Sequence, residues 1–155
     1  MRLGRRVALD VGKARIGVAT SDQHSIISSP QPFIRRDGKN SVDAVLTIID
    51  STDAIEVYVG LPLNLQSKFT ESTSDCLEFA RAIQDLVSID VRLVDERFTT
   101  TLASDSLRAA GKNSKSQKEF IDSAAAVVIL DTALEYEKAT GLAAGIKVMD
   151  FGDDV

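Results

Sequence analysis

The sequence is short of the residues on which much protein chemistry rests. Its 155 residues include one cysteine, Cys76, one histidine, His24, and no tryptophan. A single cysteine excludes an intrachain disulfide, and Cys76 sits among apolar positions of a helical pattern, where it reads as a core thiol. His24 falls in a loop, so chemistry here has to proceed without a histidine triad. There is no long apolar run, and Met1-Arg2-Leu3-Gly4-Arg5-Arg6 leads directly into a strand-like segment. The expectation is therefore no signal peptide, no membrane span and a cytoplasmic protein. Aromatic residues are only 5% of the chain and are not interleaved with basic ones, which excludes base stacking as a dominant mode of contact. Repeats and low-complexity stretches are absent too.

What is present describes an ordinary folded chain. Hydrophobic residues are 44% and charged ones 26%, and a chain of this length can bury roughly 70% of its unfolded surface in one domain. The net charge of −5 argues against a polyanionic partner until its distribution is read. Residues 51–90 and 131–155 carry net charges of −5 and −4, while residues 1–50 and 91–130 carry +3 and +1. The basic residues share their segments with the acids that matter below, so a polyanion is permitted.

Residues 5–11 and 15–21 read as two strands joined by the short Gly12-Lys13-Ala14 turn, which makes them antiparallel. Residues 28–32 read as loop around Pro30 and Pro32, with an edge strand starting at Phe33-Ile34. Val42, Val45, Leu46 and Ile49 mark one face of a helix, with Ser41 as its expected N-cap. Ile55–Val59 and Val91–Asp95 are short apolar runs that suit strands buried on both faces, and the helical face Cys76, Ala80, Ile83 and Val87 lies between them. Thr100–Ala110 reads as a short helix closed by Gly111, followed by a polar, basic loop over 111–118. A last helix is expected from Lys118 to Ala139, ending at Gly141. This order predicts an α/β fold, a mixed five-stranded sheet flanked by helices, over residues 1–143, with an acidic, loosely held tail over 144–155.

Three acids fall at telling places. Asp10 interrupts the apolar run of the first strand, where a carboxylate is costly unless it is paired, hydrogen-bonded or bound to a cation. Lys13 or Arg15 would serve as an ion-pair partner. Asp95 and Glu96 end a parallel strand, and ligands of open α/β sheets gather at that end. Either acid would equally cap a following helix. Asp122 lies in the first turn of the last helix, where the dipole alone favours an acid. The small residues Ser123-Ala124-Ala125-Ala126 that follow would let this helix pack close to the sheet. Together the three acids could gather at one end of the sheet, and two Mg²⁺ ions held there could hydrolyse a phosphodiester. Arg97, Thr99 and Thr100 would reach phosphate oxygens or cap a helix. Lys112, Lys115 and Lys118, like Arg2, Arg5 and Arg6, would clamp a backbone or simply be solvated.

The motifs resemble those of a known family. Leu9-Asp10-Val11-Gly12-Lys13-Ala14-Arg15-Ile16-Gly17-Val18-Ala19 with Ser21-Asp22 is similar to the opening of the YqgF family of pre-16S rRNA nucleases, also described as Holliday-junction-resolvase-like. Val59-Gly60-Leu61-Pro62-Leu63-Asn64, Asp95-Glu96-Arg97-Phe98-Thr99-Thr100 and Asp122 with Ala124-Ala125 resemble its later motifs, in the family order. The chain departs after Asn64, where the family usually has a glycine-containing turn, and at Phe98, where leucine is commoner. The resemblance implies a ribonuclease-H-like fold and a nuclease whose metal-binding catalytic acids are Asp10, Glu96 and Asp122. It also implies Mg²⁺ or Mn²⁺ as cofactor and structured RNA, or branched DNA, as substrate. The expected reaction is processing of the 5′ end of pre-16S rRNA in ribosome biogenesis by a monomer or weak homodimer. Lys13, Arg15, Arg97, Thr99, Thr100, Lys112 and Lys115 are the candidate substrate contacts.

The same residues admit rival readings. One is a Holliday junction resolvase. Another is a non-catalytic RNA-binding ribosome-assembly factor that keeps the fold. A third is a nucleotide-binding domain, because Asp-x-Gly after a first strand also opens sugar-kinase and actin-like phosphate sites; those need a second similar domain, for which the chain is too short.

Overall fold

In the computed structural model the described residues are 1–62, 70–96 and 123–151. The five expected strands are β1 (Arg6–Val11), β2 (Arg15–Ser21), β3 (Ser28–Arg35), β4 (Glu56–Leu61) and β5 (Asp90–Asp95). A two-residue β6 (Ile146–Lys147) extends the sheet, whose order is β3-β2-β1-β4-β5-β6. β1, β4 and β5 run parallel, with Val7 beside Val57 and Val57 beside Val91. β2, β3 and β6 pair antiparallel with their neighbours, so the sheet is mixed.

Helices α1 (Gly38–Thr52) and α2 (Glu71–Gln84) cover one face, and α3 (Ala124–Thr140) the other. Alternation along β1 decides which side chain meets which helix. Val7, Leu9 and Val11 join Val45, Ile49, Cys76, Ala80 and Ile83 in one core. Ala8 joins Ala19, Tyr58 and Val94 against Ala126, Ile129, Leu130 and Ala133 in the other. The small residues expected to bring the last helix close do so, with Ala124 and Ala126 fully buried.

Several local expectations are corrected. β3 begins at Ser28 and includes both prolines, which an edge strand tolerates because one side of its backbone needs no donor. The N-cap of α1 is Asp37, not Ser41. The Ser41 hydroxyl lies one turn inside, accepting the Asp37 N–H at 2.8 Å and donating to the Gly38 carbonyl at 3.0 Å. Val87 lies beyond the end of α2. The tail is docked as far as Phe151: Ile146 pairs with Leu93, Val148 is buried, and Arg92 donates to the Ala144 carbonyl at 2.6 Å. The predicted helix over 100–110, the basic loop over 111–118 and residues 118–122 of the last helix lie outside the described residues.

Two of the amino-terminal arginines are structural rather than solvated. Arg6 is fully buried and its guanidinium reaches Glu137 of α3 at 3.2 Å. Arg2 bridges Glu137 and Glu56 of β4 at 2.7 Å each, and the Tyr58 hydroxyl donates to Glu56 at 2.7 Å. This network ties the amino-terminal ends of β1 and β4 to the last turns of α3. The hydrogen bond from Arg2 is the main reason the Glu137 carboxyl is held down at about 2. A carboxylate whose folded value lies below its unfolded value stabilises the fold above the unfolded value, about 4.3, and loses that contribution as pH falls through the folded one. Removing one partner also strands buried charge, at a cost of about 3 kcal/mol or more. Glu137→Gln is therefore expected to lower the urea midpoint clearly at pH 7, with the gap to wild type closing as pH falls from about 4.5 towards 2. A gap that stays constant over that range would remove Glu137 from the acid limb of stability.

Candidate active site

Asp10 is the one half-buried position in β1, where every other residue is buried. Alternation puts it on the α3 face with Ala8, and its antiparallel partner across the ladder is Gly17. Glu96 follows directly after β5, at the carboxyl end of the parallel strands. β4 lies between the two acids, so Glu96 must cross it to reach β1. It crosses at Gly60. A Cβ on Gly60 would lie 2.6 Å from Glu96 Oε1, 2.8 Å from Glu96 Cγ and 2.5 Å from Ile129 Cδ1. The missing side chain is thus the space in which Glu96 lies, and across it Glu96 is hydrogen-bonded to Asp10.

Two carboxylates in hydrogen-bond contact are not both charged at that separation unless a proton or a cation lies between them. Burial, then the hydrogen bond to Asp10, then the charges of Asp10 and Asp95 lift the Glu96 carboxyl well above the ordinary carboxylate range. The donors are hard oxygens, which suit Mg²⁺ or Mn²⁺, and a divalent cation could take the place of such a proton. The acids therefore fit a metal. On the other face of β1, the Cys76 thiol donates to the Val11 carbonyl at 3.4 Å and is pushed up to about 12, mainly by burial. It remains a protonated core thiol, as its sequence context suggested.

Of the other candidate residues, Lys13 lies on the hairpin turn, exposed, with Glu71 at 3.8 Å. Arg15 is exposed on β2, its guanidinium 5.1 Å above the Phe33 ring. Asp122, Arg97, Thr99, Thr100, Lys112 and Lys115 lie outside the described residues. Gly12 serves turn geometry: its N–H donates to the Arg15 carbonyl at 2.8 Å, and a Cβ would strike the same oxygen. Two positioning residues escape a sequence reading. The Ser123 hydroxyl accepts the Val18 N–H at 3.1 Å and donates to the Gln31 carbonyl at 2.5 Å, seating the start of α3 on β2 and β3. Arg36 donates to the Gly12 carbonyl at 2.8 Å and to both Asp75 oxygens at 2.9 and 3.0 Å, joining the hairpin to α2. Ser123 was visible only as one of a run of small residues, and nothing local marks Arg36.

A family model for RuvX, described as Holliday junction resolvase, matches residues 4–136. A provisionally named pre-16S rRNA nuclease from Clavibacter michiganensis subsp. michiganensis is 49% identical over 150 residues, covering 96% of this chain and 93% of that protein. Another, from Streptomyces avermitilis, is 41% identical over 147 residues and covers 94% of each. Among solved structures, RuvC of T. thermophilus in complex with a Holliday junction substrate superposes with a TM-score of 0.61 at 12% identity, covering 90% of this chain and 98% of that one. At that identity the likeness speaks for the fold, which is ribonuclease-H-like.

The contact between the acids makes its own prediction. Asp10→Ala removes a hydrogen bond and a negative charge from Glu96 but leaves its burial, so the Glu96 carboxyl should titrate lower than in wild type yet still above a solvent-exposed glutamate. A pH titration of the side-chain carboxyl carbon by NMR reads this directly. Gly60→Ala should separate the two acids and cost about 1–3 kcal/mol of stability through overpacking. Wild-type titration of Glu96 in either variant would mean that the two acids do not interact.

Proposed function

The chain belongs to the RuvX family, and on that premise we infer that it is a nuclease, a phosphodiester hydrolase acting on nucleic acid. The observation that carries this reading is the meeting of Asp10 and Glu96 over Gly60, at the strand ends where open α/β sheets take their ligands. We assign Asp10, Glu96 and Asp122 as the catalytic acids that hold Mg²⁺ or Mn²⁺. When bound, such ions activate a water and stabilise the leaving oxygen. The chain's own part is to keep the carboxylates together: β1 fixes Asp10, Gly60 admits Glu96, and Ser123 anchors the start of α3. Lys13 and Arg15, with Arg97, Thr99, Thr100, Lys112 and Lys115, are proposed to bind the substrate backbone.

Processing of the 5′ end of pre-16S rRNA is the preferred reaction; relatives 41–49% identical over nearly the whole chain are named as pre-16S rRNA nucleases, which supports the choice of RNA. The description of the family supports a second reading, resolution of Holliday junctions. A resolvase needs two sites related by symmetry, whereas the proposed state here is a monomer or weak homodimer. A binding-only assembly factor would have no use for two carboxylates forced together. The proposed compartment is the cytoplasm, and among the described residues no helix is long and apolar enough to cross a membrane.

The test incubates wild-type protein and Asp10→Asn with a precursor 16S rRNA 5′ fragment and with a four-way DNA junction, in Mg²⁺, Mn²⁺ or EDTA. Cleavage of the RNA that needs metal and falls at least about 100-fold in the variant is expected. Junction cleavage instead would select the resolvase. Intact substrates with undiminished binding by both proteins would favour the assembly factor.

A further inference from the structure

Three arginines, Arg15, Arg35 and Arg36, cluster where β2 and β3 meet beside the acid site, and they are held in different ways. Arg36 is neutralised by its two bonds to Asp75, and its guanidinium lies 5.2 Å over the Phe79 ring. Its own N–H donates to the Ala14 carbonyl at 2.9 Å, holding the end of β3 against the hairpin. Arg15 and Arg35 are different. They are direct cross-strand partners in the β2–β3 ladder, and both are exposed. Like charges placed directly opposite one another in a sheet repel, and the two guanidinium groups together make a local concentration of positive charge.

The register also says which way they face. Ile16 and Ile34, the neighbours of the two arginines, pack into the core under α1 and α2. Arg15 and Arg35 therefore face the opposite side of the sheet. Leu9 and Val11 enter that same core, so Asp10 between them shares the arginine face. Gly17 pairs with Asp10, and Arg15 lies two residues further along β2, a step of about 6–7 Å. Phe33 is on this face as well, and Arg15 sits over its ring, which restrains one guanidinium before any ligand arrives. Among the described residues Arg35 makes no ion pair. Asp37 accepts from Asn40 at 2.8 Å, and Glu71 lies 3.8 Å from Lys13.

We propose that Arg15 and Arg35 form a paired phosphate grip, in which Arg35, held beside Arg15 and Phe33, binds the backbone of the substrate strand next to the bond that the acids cleave. This rests on the nuclease reading above and adds to it a residue and a direction: the strand leaves the acids across β2 towards the β3 edge. Guanidinium groups suit the task because their planar forks match phosphate oxygens in pairs. A charged guard against edge-to-edge pairing would account for Arg35 on β3, but not for Arg15 on the interior strand β2.

The experiment uses full-length protein and two fluorescein-labelled probes, the precursor 16S rRNA 5′ fragment and the four-way DNA junction. Anisotropy in EDTA gives the dissociation constant across about 50 to 200 mM KCl. Arg35→Gln is expected to weaken binding roughly 3- to 10-fold at low salt and to lower the slope against log salt by about 0.7–0.9, one phosphate contact. Arg35→Lys should keep most of the slope. Arg5→Gln, an exposed arginine at the far end of β1, should change neither quantity. The probe on which the slope changes assigns the contact to RNA or to DNA. Wild-type slope and affinity in Arg35→Gln, with cleavage still lost in Asp10→Asn, would overturn the grip and leave the nuclease standing. A wild-type protein that neither binds nor cleaves either probe would overturn both.

Discussion

A carboxylate set in a strand covered on both faces can be accommodated in few ways, and Asp10 is the constraint around which this sheet is arranged. β1 is flanked by β2 and β4 and packed between α1, α2 and α3, so Asp10 cannot turn away from the protein without unpairing the ladder. Its neighbours answer that constraint. Gly17 stands opposite it and Gly60 leaves open the adjacent strand, so that Glu96 arrives over β4 rather than around it. The start of α3 is pinned by Ser123 to backbone groups of β2 and β3, and alanines let the helix lie close. Gly60 is small where a side chain would push Glu96 away from Asp10, and the alanines are small where larger residues would hold the helix off the sheet.

Much of this was legible in the sequence because periodicity reports burial. The five main strands and the faces of α1 and α2 followed from alternation and helical spacing, and Asp10 stood out because it broke an apolar run. The prolines of β3 misled, since an edge strand needs only half of its backbone donors and the sequence does not say which strand is at the edge. The N-cap of α1 moved from Ser41 to Asp37 because a hydroxyl can satisfy the same region from outside the helix or from one turn within it. The tail looked free because its pairing with β5 is two residues long and its anchors, Arg81 and Arg92, come from distant segments.

The candidate site divides in the same way. Asp10 and Glu96 could be named from position and from resemblance, but their contact could not, since it depends on three strands lying in one order. In the sequence Gly60 is no more than one member of a resembling motif. Its meaning appears only when Glu96 and Ile129 are seen to occupy the volume of its missing side chain. Long-range partners such as Arg36 with Asp75 leave no local signature at all, because 39 residues separate them.

The two ends of β1 treat charge in opposite ways, and the contrast explains how one strand can carry both. At the Arg6 end, two arginines and two glutamates lie in mutual hydrogen bonds, and each charge has an opposite neighbour. At the Asp10 end, acid meets acid across Gly60, while arginine stands beside arginine one strand away. The chemistry of each group suits a ligand of the opposite sign: a divalent cation for the carboxylates, a phosphate for the guanidinium groups. The proposed ligand, a nucleic-acid backbone carrying divalent cations, would supply the two together. The neutral network at one end and the packed alanines of α3 fix the strand independently of the site. That leaves the other end able to bring acid against acid and arginine beside arginine without giving up its place in the sheet.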